Sequence, residues 1–178
     1  MSRFYEVGPL AKVGINLFYG YGYNFYRQEN QLRSDDQRVR QMACTLLGRA
    51  RAAIDDAESR YRRENIAPPS RANPFPDAAI VANAQALERL GREVGALEGL
   101  IRHQPVPEND RMMQRYRLEA ATLAALADKD AVLVGQADLL RSIVEGAASD
   151  KIMASKREIE EGIAAITATL HDRQSFLS

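Results

Sequence analysis

The side chains that most often do chemistry are scarce in this chain. It has two histidines, His103 and His171, and one cysteine, Cys44. A di-metal site among helices needs inward carboxylates together with Glu-x-x-His pairs. No Glu-x-x-His occurs, and neither histidine has an acidic residue three positions before it. A nucleophilic triad needs an activated serine or cysteine beside a histidine, and no nucleophile-elbow sequence is present. Phosphate cradles need a glycine loop between a strand and a helix. Gly20-Tyr21-Gly22 is the one close glycine pair, and it lacks the remainder of that pattern. Cys44 falls inside a helical apolar pattern, where a thiol acts as a small hydrophobe. The residues therefore name no catalytic group, no metal site and no cofactor, and they lean away from an enzyme.

Charge narrows the partners. The 178 residues carry 24 basic and 24 acidic groups, so no net field steers the protein towards nucleic acid. The arginine-rich stretch 35–64 interleaves its cations with Asp55, Asp56 and Glu58, as a solvated, salt-bridged face does. One cysteine excludes a disulfide framework. No run of about 18 uncharged apolar residues exists to span a bilayer. The first residues lack the basic start and apolar core of a secretory signal. A cytoplasmic setting is the default expectation.

Apolar periodicity predicts an all-α protein, an antiparallel bundle of about four long helices. The longest seam joins Tyr116, Ala120, Leu123, Leu126, Leu133, Ala137, Leu140 and Val144 and predicts a helix over 108–146. Val39, Ala43, Leu46, Ala50, Ile54, Ala57 and Tyr61 predict another over 35–64, with Ser34 as its cap. Ile80, Leu87, Leu90, Val94, Leu97 and Ile101 predict a third over 77–103, capped by Asp77. Ile152, Ile159, Ile163, Ile166 and Leu170 predict the last over 150–175, capped by Asp150. Four prolines between 65 and 76 mark a connection. Residues 34–178 thus form the bundle.

Three features interrupt these stripes. Gly91, Gly95 and Gly99 form a ridge at four-residue spacing, which suits close approach of a neighbouring helix. Each glycine costs a helix about 1 kcal/mol relative to alanine, so something should offset the ridge. Asn83 and Asp130 fall at seam positions, where a buried polar group can set the register between helices.

Residues 1–33 have another character. Eight of the twelve aromatics lie in the first 26 residues. Ile15, Leu17, Tyr19, Tyr21, Tyr23 and Phe25 alternate with smaller or polar residues, which favours a strand. A helical reading through Leu10, Val13, Leu17, Tyr21 and Phe25, opened by Pro9, competes with it. The sequence leaves both open.

Exposed apolar patches normally mark contacts. The leading expectation is a non-catalytic interaction or scaffold protein. Its aromatic segment, with Phe18, Tyr19, Tyr21, Tyr23, Phe25 and Tyr26 as contact residues, would dock on a protein partner or on a second copy. A peripheral membrane protein is the alternative, because Tyr and Phe suit the interfacial zone, but it lacks a polybasic patch. A small-ligand site or enzyme pocket between segment and bundle, using tyrosine hydroxyls and Asp130, is the third.

Overall fold

A computed structural model describes residues 2–21, 32–71, 74–104 and 120–177. These residues form an all-α bundle, and no strand occurs among them. A 3-10 turn, Arg3–Tyr5, precedes α1, Val7–Gly20. The long helices are α2, Leu32–Asn65, α3, Ala78–Arg102, and α4, Ala120–Val144. A short α5, Ser149–Ala154, leads into α6, Lys156–Leu177.

Local signals explain two of the boundaries. The Asp77 carboxylate accepts hydrogen bonds from the Ala79 and Ile80 backbone N–H groups, at 2.7 and 3.4 Å, and so caps α3. The turn after α4 uses Gly146 at φ 72°, a conformation that favours glycine. Two expected caps are corrected: α2 starts at Leu32, so Ser34 lies inside it, and Asp150 lies inside α5. The last helix is also interrupted at Ser155, whose N–H is shared between the carbonyls of Lys151 and Ile152. No proline or glycine announces that break. The expected stretch 108–119 lies outside the described residues.

Segment 7–20 is helical, which corrects the strand expectation. The helix ends at Gly20, so that glycine adds no interior cost. Its inward residues are Leu10, Gly14 and Phe18, rather than the stripe through Val13 and Tyr21. Alternation misled because α1 exposes apolar side chains, Val13 and Ile15, on the flanks of its buried stripe.

Helices α2, α3, α6 and α4 follow one another around the bundle. Consecutive partners α2/α3 and α4/α6 are antiparallel. Arg49 of α2 reaches Glu145 just past the end of α4, while the earlier residues Asp36 of α2 and Asp130 of α4 share Arg173. Helices α2 and α4 are therefore parallel neighbours, and the chain passes from α3 to the diagonally placed α4.

Helix α1 packs on the outside of α4. With α1 on one side and α2 and α6 on the others, the middle of α4 is enclosed all round. All eight residues 130–137 are buried. Their sequence, DAVLVGQA, accordingly has no polar face. Phe4 and Phe18 join the same core as Leu47, Leu90, Leu133 and Ile166.

Candidate functional site

Two constellations stand out, one buried and one exposed. The buried one draws a charged side chain from each of three helices. The first turns of α2 bring Asp36 and Arg40 inward, α4 brings Asp130, and the end of α6 brings Arg173. Asp130 is 0% exposed and Arg173 is 5% exposed. Arg173 grips Asp130 through both Nε and Nη2, and its Nη1 lies 2.7 Å from Asp36 Oδ1. Arg40 Nη2 takes the other Asp36 oxygen at 2.5 Å. Arg40 Nη1 donates to the Gln104 carbonyl at 2.7 Å, which brings in the end of α3. The Gln174 amide then donates to the Gln104 side chain.

Such a cluster aligns helices. Arginine does not release its proton in a protein, and both of these carboxylates are engaged by guanidinium groups. The ladder ties α2, α3, α4 and α6 together at one level. Breaking a buried pair by removing one partner costs about 3–5 kcal/mol, whereas replacing both by apolar residues is often neutral. Loss of any one member would leave an unpaired charge in the core where the four helices meet.

Asp130 accordingly sits in the core, at a seam position between Leu126 and Leu133. Asn83 does not. It is exposed, and its Nδ2 donates to Tyr61 Oη at 3.2 Å, so it links α3 to α2 at the surface. Arg173, Arg40 and Asp36 were missed as its companions, though a signal existed. Asp36 and Arg40 extend the heptad Ala43, Leu47, Ala50, Ile54 and Ala57 backwards, and Arg173 extends Ile159, Ile166 and Leu170 forwards. Opposite charges at the ends of separate seams are the mark of a buried pair.

The exposed constellation is the N-terminal element. Phe4 is fully buried against Gly162, where a Cβ would come within 2.6 Å of the ring. Its carbonyl accepts from Gln136 Nε2 at 3.0 Å, and Arg3 pairs with Glu158 at 2.5 Å. Helix α1 then crosses α4 backbone to backbone at two glycines. A Cβ on Gly14 would overlap the Ala131 carbonyl, and one on Gly135 would overlap the Leu10 carbonyl. Neither glycine was singled out from the sequence, because each is isolated within its helix.

The opposite face of α1 is uncovered. Lys12 and Asn16 lie on it, Tyr19 is 70% exposed beside them, Ile15 and Val13 are exposed on its two flanks, and Val7 at the start of the helix is 59% exposed. Tyr21 beyond the helix is 65% exposed. Lys12 is the one charged residue within α1. Of the expected contact residues, Tyr19 and Tyr21 are on the surface, while Phe18 is only 7% exposed and belongs to the core. That removes Phe18 as a contact residue: it lies on the Leu10–Gly14 face turned to α4. Tyr23, Phe25 and Tyr26 lie outside the described residues.

The glycine ridge of α3 divides. Added Cβ atoms would meet Asp55 at 2.5 Å from Gly91 and Arg51 at 3.1 Å from Gly95, whereas Gly99 faces open space. Only Gly91 and Gly95 therefore abut α2, and they do so through its side chains.

The remaining titratable groups have structural surroundings. His103 closes α3, its Nδ1 2.8 Å from the Gly99 carbonyl. The hydrogen-bonded Lys129 ammonium, 2.6 Å away, holds the Asp172 carboxyl below the usual carboxylate range. Burial pushes the Cys44 thiol up, against the opposing pull of Arg102. Among the described residues, no group of three or more His, Cys, Asp or Glu could hold a metal ion. No helix among them is long and apolar enough to cross a membrane. No protein-family model, curated protein or solved structure matches the chain.

Proposed function

We propose that this chain is a non-catalytic interaction protein, with the bundle as a rigid mount and α1 as its docking element. One observation carries the reading. Helix α1 buries one stripe on α4 and leaves Val7, Val13, Ile15 and Tyr19 exposed around it, with Lys12 as its one charged residue. The stretch 130–137 of α4 shows the usual fate of a helical segment with no polar face, which is enclosure on every side. The exposed pair Ile15 and Tyr19, four residues apart on α1, supplies the apolar contact and the tyrosine that interface centres favour. Its partner is another protein or a second copy of this chain. A reducing, cytoplasmic compartment goes with this reading, since Cys44 is a buried free thiol.

A membrane surface is the alternative occupant of the same face. It has less support, because Lys12 is the sole cation on α1 and stable interfacial binding draws on several. A ligand pocket between α1 and the bundle has less still, since α1 and α4 touch backbone to backbone at Gly14 and Gly135.

The test is the full chain carrying Ile15→Asp and Tyr19→Asp together. Both residues point away from the core, so helicity and melting should hold. The wild type should show a mass above the monomer by light scattering, or a cross-linked partner, and the variant should lose it. Equal mass and equal cross-linking for the two proteins overturns the reading. Binding of the wild type alone to vesicles of anionic lipid transfers the face to a membrane.

A further inference from the structure

We draw no further inference here: the strongest candidate, the open cleft of about 650 Å³ between α2 and α3 lined by Arg40, Cys44, Glu98 and Arg102, carries nothing because Arg40 is already held by Asp36 and Arg102 by Glu98, and nothing in the structure names what would fill it.

Discussion

Helices α1 and α4 meet through bare backbone, whereas α2 and α3 meet through side chains. Both pairs contain glycines, and they use them differently. At the first crossing each glycine accepts a carbonyl of the other helix, Gly14 that of Ala131 and Gly135 that of Leu10. At the second, Gly91 and Gly95 make room for Asp55 and Arg51, flexible groups that can turn aside. A backbone cannot turn aside. The visible ridge of three glycines is therefore the tolerant pair, and the two isolated glycines are the strict one.

Substitutions grade this contrast. The largest effect is expected for Gly135→Ala, where the added methyl meets the α1 backbone. Overpacking of this kind should cost about 3 kcal/mol in chemical denaturation and make α1 the first segment cut by protease. Wild-type stability in that variant would show that the backbone crossing does not hold α1. Gly162→Ala should cost less, about 1–2 kcal/mol, because the Phe4 ring can shift within its seat. If Phe4 becomes no more accessible by hydrogen exchange around residues 3–5, the seat is looser than its geometry implies.

Gly91→Ala tests the other pair. Displacing Asp55 at a half-exposed surface offsets the gain in helix propensity, so the net change should stay within about 0.5 kcal/mol. A loss near that of Gly135→Ala would erase the distinction between the two pairs. The Gly99→Ala change is expected to reverse the sign. Nothing lies within 4 Å of that methyl, so the variant should gain up to about 1 kcal/mol. A destabilised Gly99→Ala protein would mean that α3 needs a glycine there for another reason.

The same contrast explains what could be read from the chain. Helices α2, α3 and α6 have one oily side and one charged side, and that asymmetry is what a periodic pattern records. Asp77 and Gly146 are placed by turn chemistry, which is also local. Helix α1 has only Lys12 and Asn16 as polar residues and exposes apolar ones beside them, so its aromatic and glycine alternation resembled a strand. The break at Ser155 follows from packing, and no residue type there signals it. Asp130 was legible as a misfit in its seam, while Asp36, Arg40 and Arg173 looked like ordinary charges near helix ends. Their meeting depends on how three seams align in space, which no single stretch contains. Gly14 and Gly135 were hidden likewise, each being meaningful only against the other.

The order of synthesis gives the crossing a further consequence. Gly135 lies 135 − 14 = 121 positions after Gly14. At roughly 5–20 residues per second, the ribosome makes α1 on the order of 6 to 24 seconds before its seat on α4. Through that interval the buried stripe of α1, Leu10, Gly14 and Phe18, has no α4 to cover it. The seat of Phe4 at Gly162 is made later still.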